Sequence, residues 1–285
     1  MTTYDLHQHL WPKAFIAALR ARTAPPRLDG DVLETCEGRF PVDLDQHDLD
    51  ERVSVLDRDG IEVAVLSLQP SLGLGNLASS ECDELELAWA DGVRELDSTR
   101  FRAFSPSCVR DGFAGVSVGS SAFHDFDAAA PTLDAAAAAG ATVFVHPEAG
   151  SAPDTTRPDW WEWVVGYPAR MQEAYVAWLA FGRERWPTVR VLFAMLGGGG
   201  PFQLERLARR GVDVRSALDP NTFFDVSTHG RRAIELCVET FGVGQLAYGS
   251  DTPVVDSRPT LDAVRGFGDA VTHVLQSDTP ARILS

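Results

Sequence analysis

The chain reads as a single (β/α)₈ barrel, and three observations point there. Eight short apolar runs alternate with helical stretches, no linker or low-complexity break interrupts them, and 285 residues suit a closed barrel of roughly 250. The runs carry little polar alternation, as strands do when helices cover the sheet. On this reading residues 1–285 form one domain.

Taken in order, Tyr4 to His9 predicts the first strand, and a period of two puts Asp5, His7 and His9 on one face. Trp11 to Arg22 reads as a short helix and Thr23 to Asp45 as a polar, Pro-containing excursion. Asp48 to Asp59 has Leu49, Val53 and Leu56 on one helical face, with Gly60 as its stop. The β-branched run Ile61 to Leu68 is the second strand, ended by Gln69-Pro70, and a helix over Ser80 to Leu96 leads to the third, Phe101 to Phe104. The fourth strand, Phe113 to Val118, follows after only Ser105 to Gly112. A parallel crossover usually needs roughly a dozen residues or more, so either these strand limits are wrong or the barrel is distorted and lacks a helix at this link, and the missing helix is the expectation.

A helical stretch Leu133 to Ala139 closes at Gly140, and Thr142 to His146 is the fifth strand, stopped by Pro147. Two helical pieces split by Gly166 and Pro168 follow; Met171, Tyr175, Trp178 and Leu179 form a stripe on the second, which reads as core. Val189 to Leu196, Phe223 to Ser227 and Gln245 to Tyr248 complete the eight strands, with helices near Phe202 to Arg210, Arg231 to Phe241 and Thr260 to Leu275.

Composition excludes several partners. A net charge of −16, from 41 acidic and 25 basic residues spread along the chain, repels nucleic acid and anionic membrane surfaces. No apolar run approaches the roughly 20 residues of a membrane helix. Residues 1–20 lack a basic start followed by an apolar core, so the expected location is the cytoplasm. Cys36, Cys82, Cys108 and Cys237 form no C-x-x-C pair and read as free buried thiols.

Functional groups in such a barrel gather at the C-terminal ends of strands. His7 and His9 end the first strand, His146 ends the fifth, and Asp251 follows the eighth in Ser250-Asp251-Thr252-Pro253. Three imidazoles and a carboxylate from three strands can converge above the axis as a metal site. Nitrogen and oxygen donors of this kind suit Zn²⁺, with Mn²⁺, Fe²⁺ and Co²⁺ as competitors. The competing reading of the four is a satisfied polar cluster without metal. His229 ends the seventh strand and either joins the site or caps the next helix. His47, His124 and His273 are expected at the surface, as are Arg20, Arg22 and Arg27. Gly197 to Gly200 reads as a tight turn rather than an anion cradle. Trp160, Trp161 and Trp163 are a pocket wall, a subunit face or plain core.

The segments Leu6-His7-Gln8-His9-Leu10-Trp11-Pro12, Phe144-Val145-His146-Pro147, Leu196-Gly197-Gly198-Gly199 and Tyr248-Gly249-Ser250-Asp251-Thr252-Pro253 together carry a resemblance. With the final Thr279-Pro280-Ala281-Arg282-Ile283-Leu284, they make nearly the whole chain resemble the amidohydrolase-related (amidohydrolase 2) proteins of the aminocarboxymuconate-semialdehyde decarboxylase type. The resemblance implies a metal on His7, His9 and His146, with Asp251 as a further ligand or proton carrier. It also implies a small carboxylated or phenolic substrate and a tendency to form homodimers. The chain departs from the pattern at the sixth strand, where the family usually has a histidine and Phe193-Ala194-Met195-Leu196 stands here. A thioether takes no proton, and losing that group removes a contribution worth roughly 10²- to 10⁴-fold. Asp251 is then the sole base, or His229 supplies the missing imidazole, or the ancestral reaction is lost. The leading expectation is a zinc-dependent hydrolase of a small ester, lactone or amide. Its alternatives are a non-oxidative decarboxylase of a phenolic or muconate-like acid, and a non-catalytic ligand-binding relative.

Overall fold

The computed structural model describes residues 1–150 and 156–285. Eight parallel strands lie side by side in chain order: β1 (Tyr4–Gln8), β5 (Val63–Leu66), β6 (Phe101–Pro106), β7 (Gly115–Gly119), β8 (Thr142–His146), β9 (Arg190–Phe193), β10 (Thr222–Asp225) and β11 (Leu246–Ala247). Each expected strand forms, within a few residues of its expected limits. Helices cover the outside, where Phe193 and Phe224 stack on each other and pack against Tyr175, and inside the barrel Phe104 stacks on Phe144. Among the described residues no helix is long and apolar enough to cross a membrane.

The chain closes the barrel without a ladder between β11 and β1. Single backbone bonds do it instead: Leu6 N–H to the Tyr248 carbonyl at 3.0 Å, Asp251 N–H to His7 at 2.8 Å and His9 N–H to Thr252 at 2.8 Å. This seam runs between the strand that ends in two histidines and the loop that carries Asp251.

The link from β6 to β7 contains no helix, as its length requires. Register explains how so few residues suffice. Phe104 pairs with Gly115 and Pro106 with Ser117, so the chain need descend only two residues, about 7 Å, before β7 begins. Ser107 takes a left-handed φ of 59° at the reversal, and its hydroxyl donates to the buried carboxylate of Glu86 on the helix α3 (Ser79–Arg94).

Four expectations need correction. The excursion after β1 is not irregular: β2 (Arg27–Asp29), β3 (Val32–Thr35) and β4 (Gly38–Pro41) pair antiparallel. Strands this short carry too few residues to show a period. The helix expected from Leu133 begins earlier, at Phe126, where the Asp125 carboxylate accepts from the N–H groups of Asp127 and Ala128. Gly166 and Pro168 do not split the next helix. A wide turn over Glu162–Gly166 runs straight into Tyr167–Ala177, and Pro168 sits in the first turn of that stretch, where its missing N–H costs little. Met171, Tyr175 and Trp178 are buried there as core. Of the free cysteines only Cys237 is buried, and Cys108 is exposed.

Candidate metal centre

Strand direction brings the ends of β1, β8 and β11 to the barrel mouth. There the ligand-capable atoms of His7, His9, His146 and Asp251 lie within 4.8 Å of one another. His7 Nε2 and His9 Nε2 are 3.1 Å apart, and Asp251 Oδ1 is 3.1 Å from the latter and 3.5 Å from the former. Phe144 lies against both His7 and His146, with ring centroids 5.0 and 5.9 Å away, and forms an apolar floor. The three imidazoles are buried; Asp251 keeps 14% of its side chain exposed.

Hydrogen bonds on the far side of each ring decide what the near side offers. His9 Nδ1 lies 2.9 Å from the Ser67 carbonyl and His146 Nδ1 2.6 Å from the Pro147 carbonyl. A carbonyl only accepts, so both Nδ1 atoms carry the proton and both Nε2 atoms are bare lone pairs. His7 Nδ1 donates to Asp225 Oδ2 at 2.8 Å. His7 Nε2, the bare Nε2 atoms of His9 and His146 and the Asp251 carboxylate thus converge on one point, where a cation would be shared between them. A carboxylate beside them and acceptors behind them are the arrangement that divalent ions require. The residues present therefore fit a divalent metal.

Protonation follows the same geometry. Burial alone would push His7 down, but the carboxylates of Asp225, Asp251 and Asp5 outweigh it and raise its pKa to about 9. Burial, with the neighbouring His7, lowers His9, and burial with both other rings lowers His146 well below the ordinary value. Burial works against the Asp225 charge, yet His7 and Ser227 hold that carboxyl below its usual range.

Asp225 is the group that sequence reasoning missed. It lies at the C-terminal end of β10 with no exposed surface, and its Oδ1 also accepts from Ser227 Oγ at 2.6 Å, Ser227 N–H at 2.9 Å and Met195 N–H at 3.1 Å. A lone carboxylate inside the apolar run Phe223-Phe224-Asp225-Val226 was the available signal. Asp5, expected on the face of the two histidines, is not among the converging atoms. The pairing register shifts between Asp5 and Gln8, and Asp5 accepts instead from Gln8 Nε2 and Ser250 N–H. His229 is half-buried, with Nδ1 2.8 Å from the Ser227 carbonyl, and stands outside the group of four. His47 is buried, not exposed: it stacks on Trp11 at 4.6 Å and accepts the Trp11 backbone N–H. His124 and His273 are exposed, as expected.

Met195 opens one turn of left-handed helix, with φ between 51° and 80° from Met195 to Gly199. Left-handed backbone costs an L-residue roughly 1–2 kcal/mol, so glycines dominate the turn. Gly198 is required twice over, since a Cβ there would meet the Pro168 carbonyl oxygen at 2.0 Å. Trp160 and Trp163 are half-exposed rather than core.

No family model matches the chain. The chain is 26% identical to the 2-amino-3-carboxymuconate-6-semialdehyde decarboxylase of Dictyostelium discoideum, over 87% of its own length and 81% of that protein's. This similarity supports the resemblance to the amidohydrolase-related proteins of the aminocarboxymuconate-semialdehyde decarboxylase type. Solved structures share the fold of this barrel. The 5-carboxyvanillate decarboxylase of Sphingomonas paucimobilis superposes with a TM-score of 0.79 at 17% identity, covering 99% of this chain and 98% of that one. A dihydroxybenzoic acid decarboxylase from a Polaromonas species, solved with bound manganese and the inhibitor 2-nitroresorcinol, gives 0.74 at 18%, covering 99% and 96%.

Proposed function

We propose that this amidohydrolase-related chain is a divalent-metal-dependent, non-oxidative decarboxylase of a small carboxylated phenolic or muconate-like acid. The observation that carries the proposal is the convergence of three imidazoles and the Asp251 carboxylate, with ligand-capable atoms within 4.8 Å of one another. The hydrolase expectation holds only at the level of the broad superfamily, because the similar proteins with stated activities are decarboxylases.

When bound, a divalent ion supplies Lewis-acid polarisation of a substrate oxygen. His7, His9 and His146 would hold it, with their orientation fixed by Asp225, Ser67 and Pro147. Asp251 is the one carboxylate in the group, and it borders solvent while the imidazoles do not. Decarboxylation asks for a single proton at the carbon left behind, and on this reading Asp251 in its acid form delivers it. The buried floor of Phe144 keeps water from competing. Hydrolysis would ask for a proton taken from water and another given to a leaving group, and Met195 stands where a second titrating group would help. Zinc is our choice of ion from the nitrogen-rich donor set, with manganese next because the Polaromonas structure holds it.

The test supplies zinc or manganese to metal-stripped protein and measures carbon dioxide released from 5-carboxyvanillate, 2,6-dihydroxybenzoate and 2-amino-3-carboxymuconate semialdehyde. Metal-dependent release from at least one is expected, rising about tenfold or more in Met195→His if the absent imidazole still has a role there. Ester or lactone turnover without any release would restore the hydrolase. Bound metal with neither activity would favour a ligand-binding relative.

A further inference from the structure

Gln8 stands between the two histidines of β1, and its amide turns to a buried polar chain that the proposed reaction does not use. Gln8 Nε2 donates to Asp5 Oδ2 at 2.8 Å while Gln8 Oε1 accepts from Arg52 Nη1 at 3.0 Å. Arg52 also donates to the carbonyls of Thr252 at 3.3 Å and Gln46 at 2.7 Å. Asp5 Oδ1 accepts the backbone N–H groups of His7 at 3.1 Å and Ser250 at 3.0 Å. All three side chains are at most 2% exposed.

We propose that Arg52, Gln8 and Asp5 are positioning residues, a latch across the barrel seam that sets the spacing of His7, His9 and Asp251. This rests on the reading that those groups hold a divalent ion. Along the seam, the latch grips positions next to the ligands. Thr252 follows Asp251, Ser250 precedes it, and Gln8 lies between His7 and His9. The seam needs such a device, because β11 and β1 share no ladder and Asp251 holds a left-handed φ of 66°. An L-residue keeps that conformation where its surroundings over-determine it. The chemistry of the latch is also unusual for mere packing. The buried guanidinium bonds three neutral oxygens and reaches its carboxylate only through the Gln8 amide, a group that accepts from arginine and donates to aspartate at once.

The test is the dissociation constant for Mn²⁺ and Zn²⁺, from competition with a chromophoric chelator on the metal-stripped full chain, beside the melting temperature. Wild type is measured first, and failure of wild type to bind either ion would sink the metal reading itself. Given binding, Gln8→Met and Arg52→Lys are expected to weaken it about 10- to 100-fold, the range for groups that orient metal ligands. Arg183→Met, a change to a buried arginine outside the metal cluster, is expected to lower the melting temperature and leave affinity unchanged. Wild-type affinity in Gln8→Met, or an equal affinity loss in Arg183→Met, would overturn the latch. Should Gln8→Met not fold, Arg52→Lys decides on the same criterion.

Discussion

At the base of the barrel, Arg183 donates to the carbonyls of Trp186, Pro187 and Val189 and to Thr222 Oγ1, and pairs with Asp219 at 2.8 Å. Its guanidinium also lies over the Trp178 ring. These groups tie the N-terminal ends of β9 and β10 together, and the buried charge is met by protein acceptors. At the mouth, His7, His9 and His146 satisfy their outer nitrogens in the same way but leave their inner ones facing each other. At the base the Nη atoms of the buried guanidinium find acceptors within the chain; at the mouth the inner nitrogens and the Asp251 carboxylate converge where a cation from outside would join them. Conserving structure and doing chemistry are thus separated along the barrel axis.

Removing the proposed proton carrier at the mouth, Asp251, gives the largest expected effect. Asp251→Asn should cut turnover by roughly 10²- to 10⁴-fold, the range for a lost general acid or base. Asparagine tolerates left-handed backbone as aspartate does, so the fold and melting temperature should hold. His229→Ala should lower turnover by less than about tenfold, since that ring sits outside the group of four. Steady-state rates on the same substrate compare the two, and the opposite ranking would give the proton-transfer role to His229.

The base responds in the other currency. Arg183→Met removes the cation from Asp219 and a donor from three carbonyls, and breaking a buried pair of this kind costs about 3 kcal/mol of stability. Urea unfolding should show the loss, while kcat per folded, metal-loaded molecule stays at the wild-type value. A fall in kcat to the level of Asp251→Asn would erase the distinction between the two ends.

Sequence separation divides what was legible in the sequence. Strand order, the missing helix and the four converging groups were readable because each follows from local signals: apolar runs, a link of known length, and histidines at strand ends. Asp225 and Arg52 were not. Their importance lies in partners 218 and 200 residues away, His7 and Thr252, and no period or spacing encodes such a pairing. His47 was misplaced for a related reason: a histidine beside a polar excursion looks exposed until Trp11 folds over it. The excursion itself became a sheet only through pairings between strands too short to announce themselves.

His47 also supplies the smallest of the expected effects, at the rim between the two regimes. Burial first, and then the positive Arg52, lower its pKa from the ordinary 6.5 to about 3. The unfolded chain therefore takes up a proton below about pH 6.5 that the folded chain refuses until about pH 3. Stability from this group is complete above pH 6.5 and is lost as pH falls through that window, by up to about 1.4 kcal/mol per unit. His47→Asn keeps an acceptor for the Trp11 N–H but cannot titrate. Between pH 7 and 5.5 its unfolding free energy should fall about 1 kcal/mol less than that of wild type. His9 and His146 contribute equally to both profiles, so the difference isolates His47. Parallel profiles would mean that the folded rim accepts the proton, and that water reaches further past Trp11 than its burial indicates.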